Sequence, residues 1–241
     1  MKKKLIISAA VFCSLLTVLW IVGRVTGMLL FFSIPTPVNI PNINPGDKIL
    51  SSNLKEPQPY DFIILTSVYS DSINGSYSEG YEKGSKYLYR LCGIPDDTLE
   101  MKNGVLYVNN KNFDSGLNLN NQYIITGTEF YSIDEDDMNA GAASGGMYMI
   151  SNDKGLVTFD NVLIKKYQSR IKLIPFIMSD TANGCFKWYA KNPGWSADNF
   201  GPLKIPTDCY FVLGDNRHNA LDSRYIGFVK KENIKGVALN K

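Results

Sequence analysis

The chain has one histidine, His218, in 241 residues. A histidine metal cluster is therefore excluded, and any Ser-His-Asp triad would have to use His218. That residue sits in a polar turn and reads as a solvated loop residue. There is no C-x2-C pair among the four cysteines, Cys13, Cys92, Cys185 and Cys209, so a zinc site is not expected. There is no excess of charge either. Lys and Arg number 25 against 23 Asp and Glu, a net +2, which leaves no basic footprint for nucleic acid. No internal repeat and no cofactor motif is evident. The expectation is no metal, no cofactor and no nucleic-acid partner.

What the chain does have is apolar and aromatic. Lys2-Lys3-Lys4 precedes an uncharged run from Leu5 to Gly23, long enough to cross a bilayer. Lysines before the span and few after it orient residues 1–4 to the cytoplasm and the rest outside it. A cleaved signal peptide is the competing reading. No small-x-small site follows the run cleanly and the run is long for a signal core, so residues 5–23 are taken as an uncleaved anchor. The expected location is the plasma (inner) membrane, single-pass. Cys13 in this run is a small hydrophobe. Cys185 and Cys209 could pair outside the cytoplasm, which spacing alone leaves open.

The 14 Tyr and 12 Phe suit half-buried strands. Strands are expected at 48–52, 60–67, 86–93, 146–151, 208–213 and 236–239, with an interrupted one at 172–178. Asn103-Gly104 between 98–101 and 105–109 reads as a hairpin turn. The proline-rich stretch 33–47 allows no helix, and 68–85 reads as a loop. Residues 110–145 read as an insertion with little structure of its own, their acidic cluster 134–137 as solvated. Thr158–Arg170 is the best helix candidate after the anchor. Thr158 would cap it, and Val162, Leu163 and Tyr167 would share a face. Residues 188–206 read as an aromatic loop. The fold class is mainly antiparallel β, with a small inserted α/β region and one N-terminal transmembrane helix; the domain spans 32–241.

The most informative stretch is Gly214-Asp215-Asn216-Arg217-His218-Asn219-Ala220-Leu221-Asp222-Ser223-Arg224-Tyr225-Ile226-Gly227-Phe228-Val229. Gly214 would supply a turn that no side chain allows. Asp215, Arg217, Asp222 and Arg224 are spaced to pair and pin a loop. The pattern GDNR-x5-SR-x2-GFV resembles the last signature box of type I signal peptidases, membrane-anchored Ser/Lys endopeptidases. Two further stretches carry the resemblance. Phe32 to Asp47 aligns without a gap on F-x-I-P-S-x-S-M-x-P-T-L-x-x-G-D, and Tyr87 to Asp97 on Y-x-K-R-x-x-G-x-P-G-D. The resemblance covers 32–47, 86–97 and 207–238.

The resemblance implies a nucleophilic serine where this chain has Val38, a lysine base where it has Tyr89, and a serine orienting that lysine where it has Ala220. Thr36 falls where the family has a hydroxyl that helps hold the oxyanion. Gly214, Asp215, Asn216, Arg217, Asp222 and Arg224 fall on scaffold positions. Valine has no atom that can attack a carbonyl. A phenol, with an ordinary pKa of about 10, is a poor base at neutral pH. Lys86 is an odd number of positions from Tyr89, so on a strand it points to the other face. The implied protein is a catalytically inactive homologue that binds an extended peptide or signal-peptide segment beside 33–41 and 86–93, with Ile34, Pro35 and Tyr87 in contact. Two alternatives stand beside it. One is an active signal peptidase with a non-standard nucleophile, Thr36 being conceivable. The other is a structural or regulatory subunit with another membrane protein as partner.

Overall fold

The computed structural model describes residues 2–66, 85–178, 188 and 192–241. Helix α1 (Lys2–Thr26) takes up the apolar run and extends it by three residues at each end. Its stretch Ile6–Thr26 is long and apolar enough to cross a membrane, at roughly 30 Å for 21 residues. Large side chains such as Phe12 and Trp20 point outward all along it, more than half exposed. A helix that is apolar all round and, among the described residues, touches its own chain only near its C-terminal end suits lipid.

Three antiparallel sheets follow. The largest has seven strands in the order β1 (Leu30–Ser33), β2 (Lys48–Ser52), β15 (Ile234–Ala238), β3 (Phe62–Thr66), β4 (Lys86–Gly93), β13 (Cys209–Leu213) and β14 (Val229–Lys230). A second sheet orders β12 (Phe200–Lys204), β5 (Thr98–Lys102), β6 (Val105–Val108) and β7 (Lys111–Asn112). The expected Asn103-Gly104 hairpin joins β5 to β6, with φ of 49° and 77°. A type I′ turn needs both central residues at positive φ, which this dipeptide tolerates best.

The third sheet orders β11 (Ile174–Pro175), β8 (Asn121–Thr126), β10 (Lys154–Phe159) and β9 (Tyr148–Ser151). It corrects the expectation for 110–145, which is well structured. Thr126 and Glu129 form a reciprocal capping box on α2 (Gly127–Phe130). The acidic cluster opens α3 (Glu135–Ser144), where carboxylates meet the positive end of the helix. Asp134, exposed, and Asp137, half-buried, both hold Lys166, so they are paired rather than simply solvated. Ile125, Phe130, Ile133, Val157, Phe159 and Tyr167 give this unit its own core.

Three smaller expectations change. Thr158 lies in β10, and α4 (Asn161–Tyr167) is capped by Asp160, whose carboxylate accepts from Val162 and Leu163. Val162 is exposed while Tyr167 is buried, so the proposed shared face is only partly formed. Residues 200–204 are a strand, β12, because the hairpin sheet needs a partner for β5. The expected loop at 68–85 falls almost wholly outside the described residues.

Candidate functional site

Strand β4 crosses the centre of the large sheet, and its residues alternate between two cores. Tyr89 and Leu91 pack with Ile63, Val212 and Val237. Leu88 packs on the other side with Ile34, Ile49 and Ile64. Residues 90–93 are covered by β13, whereas among the described residues 86–89 are paired only to β3, which leaves that edge free of a strand partner. Opposite that edge runs the segment after β1, ending in a 3-10 turn at Pro37–Asn39. Asn39 ties the two together, its Nδ2 donating to the Leu88 carbonyl at 2.7 Å.

The structure brings Val38, Tyr89 and Ala220 to one spot. Val38 packs against the core that holds Tyr89. Gly214 lies against both other positions: a Cβ there would stand 2.5 Å from the Ala220 Cβ, 2.7 Å from the Val38 carbonyl oxygen and 2.9 Å from Val38 Cγ1. The glycine is therefore required for close approach. Its φ is not positive, which corrects the expected turn role. The Asn216 N–H donates to the Val38 carbonyl at 3.0 Å. Tyr89 is 3 % exposed and its hydroxyl donates to the Leu221 carbonyl at 2.8 Å. Its proton thus points at a backbone acceptor one residue past Ala220. None of the three side chains at Val38, Tyr89 and Ala220 pairs a nucleophile with a base.

The box that positions this spot is a buried ionic frame, wired differently from the local pairing expected. Asp215 binds Arg90 of β4 through two contacts of 2.6 Å. Arg217 binds Asp114 likewise, at 2.6 Å twice. Only Asp222 and Arg224 pair within the stretch, at 2.9 Å. Asp222 also accepts from the Gly214 N–H, and Asn216 donates to the carbonyls of Pro37 and Ser144. Burial pulls the Arg217 and Arg224 guanidiniums down, but Asp114 and Asp222 outweigh it and hold both above their ordinary range.

His218 is not solvated. Its side chain is 4 % exposed, Nε2 lies 3.1 Å from Asp198 Oδ2, and Nδ1 accepts from the Gln122 N–H at 3.2 Å. With both ring nitrogens engaged, it is no base for Thr36. Burial raises the Asp198 carboxyl, but the bond to His218 and the charge of Arg224 outweigh it and hold it below its usual range. Sequence reasoning missed Arg90, Asp114 and Asp198. Arg90 was visible as the arginine after the base position. The carboxylates had no local signal, because their partners are 20 to 103 residues away.

Cys92 is buried, and burial pushes its thiol up to about 12. At pH 8 an alkylating reagent should leave Cys92 untouched in the folded protein and modify half-buried Cys209, as read by peptide mass spectrometry. Equal labelling of both would contradict the packing of β4. Cys209 carries a free thiol; its suggested partner, Cys185, lies outside the described residues.

Between the free edge of β4 and residues 32–38 lies a groove of about 110 Å³. Ile34, Pro35 and Tyr87, the expected contact residues, all line it, as do Thr36, Val38 and Tyr89. Lys86 lines it too. It does point away from the Tyr89 face, but the groove follows the strand edge and so receives side chains from both faces.

The architecture is thus an antiparallel β domain with a groove beside a strand edge, preceded by one helix long and apolar enough to cross a membrane. The chain belongs to the family described as signal peptidase, peptidase S26, whose model matches residues 6–240. Signal peptidase I P of Bacillus subtilis subsp. natto is 29 % identical over 159 residues, covering 66 % of this chain and 51 % of that protein. Signal peptidase I of Buchnera aphidicola subsp. Baizongia pistaciae (strain Bp) is 26 % identical over 226 residues, covering 85 % and 66 %. The chain thus spans about half to two-thirds of the length of these relatives. A crystal structure of a signal peptidase I from Enterococcus faecalis V583 is 23 % identical, covers 76 % of this chain and 97 % of its own, and gives a TM-score of 0.33.

Proposed function

We propose that this protein is a membrane-anchored signal peptidase homologue that binds peptide without cleaving it. The observation that carries the reading is the convergence of Val38, Tyr89 and Ala220 on one spot, with the Tyr89 hydroxyl donating to Leu221 rather than accepting a proton. Ser/Lys chemistry needs a hydroxyl beside a desolvated amine that can take its proton. Valine and alanine carry no hydroxyl, the tyrosine phenol is engaged with the Leu221 carbonyl, and none of the three supplies an amine. Thr36 keeps a hydroxyl at the groove, but Lys86, the lysine that lines the same groove, is exposed and so is not the desolvated amine this chemistry needs.

The Lys-rich N-terminus is cytoplasmic in this reading, α1 spans the plasma (inner) membrane, and residues 32–241 face outside. The ligand is an extended segment of a preprotein. Main-chain pairing along β4 is limited, because Asn39 already occupies the Leu88 carbonyl. The contact is therefore short. The test is incubation of the purified full chain with a preprotein carrying a small-x-small cleavage site. The expected result is no specific cleavage above the uncatalysed background. Specific cleavage that disappears in Thr36→Ala would overturn the reading in favour of an active peptidase.

A further inference from the structure

The groove has two features that together describe what enters it. It is apolar for most of its length and small; an apolar cavity of about 150 Å³ accepts benzene, so about 110 Å³ seats one small side chain. At its rim stands Lys86, whose ammonium lies 5.1 Å from the Phe32 ring centroid. Among the described residues no carboxylate pairs with Lys86. The hydroxyl residues Ser33 and Thr36, both exposed, line the same groove. A cation with no carboxylate partner among the described residues, set with hydroxyl donors beside an apolar slot, is complementary to an anion attached to an apolar group.

The Asn39–Leu88 bond is buried in the wall of the groove, which both residues line. A polypeptide pairing along β4 past Leu88 would have to displace it; a chain end that stops short of Leu88 would not. In strand β4, Leu91 pairs across to Asp61, so alternation turns the backbone groups of Leu88 and Lys86 toward the groove. With the Leu88 carbonyl accepting from Asn39, the backbone N–H groups of Leu88 and Lys86 are the donors on that edge.

Building on the peptide-binding reading, we propose that the groove captures the free C-terminus of an extended apolar peptide. The terminal side chain fills the slot. The terminal carboxylate meets Lys86 at the rim, with Ser33 or Thr36 as hydroxyl donor. Capture of chain ends by cationic and N–H donors is a recurring mode of peptide recognition.

The test uses the full chain in lipid nanodiscs and fluorescence anisotropy of an N-terminally labelled pentapeptide, Ala-Leu-Val-Leu-Ala. The probe is made as free acid, as C-terminal amide, and as amide with aspartate replacing the second leucine. The acid should bind roughly tenfold to a hundredfold tighter than the plain amide, the range of a charge-assisted bond. That difference should vanish in Lys86→Gln, an exposed position where the fold is undisturbed. Equal binding of acid and plain amide overturns carboxylate capture and leaves peptide binding standing. Acid binding unchanged by Lys86→Gln overturns it as well. If the aspartate amide matches the acid, an acidic side chain is recognised and the chain-end assignment falls. No binding of any probe removes the peptide-binding reading together with this one.

Discussion

Replacing Asp215 by alanine should destabilise the domain by about 3–5 kcal/mol, the usual effect of removing one member of a buried ion pair. Asp215 is fully buried and holds the guanidinium of Arg90 by two contacts of 2.6 Å. It also accepts from Asn42 at 2.7 Å, which ties in the segment that carries Val38. Without the carboxylate, Arg90 is left as a buried charge resting on the Phe62 ring and the Tyr60 carbonyl. For a domain of this size the unfolding midpoint should fall by roughly 6–20 °C, at about 2–4 °C per kcal/mol. Thermal unfolding of the full chain in detergent, followed by tryptophan fluorescence, measures it. The double variant Arg90→Met, Asp215→Leu should lose less than Asp215→Ala, since no charge is stranded. A midpoint within about 2 °C of the parent for Asp215→Ala, a loss under 1 kcal/mol on the same scale, would mean that the pair is not the frame described here.

The second large effect is a gain. The triple variant Val38→Ser, Tyr89→Lys, Ala220→Ser should cleave a preprotein at a small-x-small site at least about a hundredfold faster than the parent chain, the lower range for an added general base. Val38 and Ala220 already face each other across Gly214, so hydroxyls at both positions would stand in one small volume. A lysine at 89 would enter a site that is 3 % exposed. Burial there would lower its pKa and leave a neutral amine able to accept the serine proton. The variant forfeits the Tyr89 hydroxyl bond to Leu221, so its fold must be checked by circular dichroism alongside the assay. A well-folded triple variant without activity would mean that the cleft has diverged beyond these three positions.

Some of this was legible before any coordinates. The hairpin at Asn103-Gly104 follows from backbone energetics of two residues, and β3, β4 and β13 from short apolar runs. The apolar N-terminal helix follows from one long uncharged segment. The inserted unit was misjudged because its strands are short and its stability comes from a core assembled from residues 125 to 171. A local signal was present: the Thr126-x-x-Glu129 capping box. His218 was misread because its two partners, Gln122 and Asp198, lie 96 and 20 residues away.

Sequence by itself determined what stands at three positions. Valine at 38, tyrosine at 89 and alanine at 220 are facts of covalent structure, and none of them carries an aliphatic hydroxyl or an amine. It also determined the apolar N-terminal helix, because length and hydropathy alone specify that element. Only the tertiary structure decided where the charges go. Arg90 with Asp215, and Arg217 with Asp114, are joined across 125 and 103 residues by the packing of strands. It likewise decided that Lys86, on the opposite face of β4 from Tyr89, lines the same groove. A strand edge exposes both faces of its pleat, and which edge stays uncovered depends on how the whole sheet is ordered.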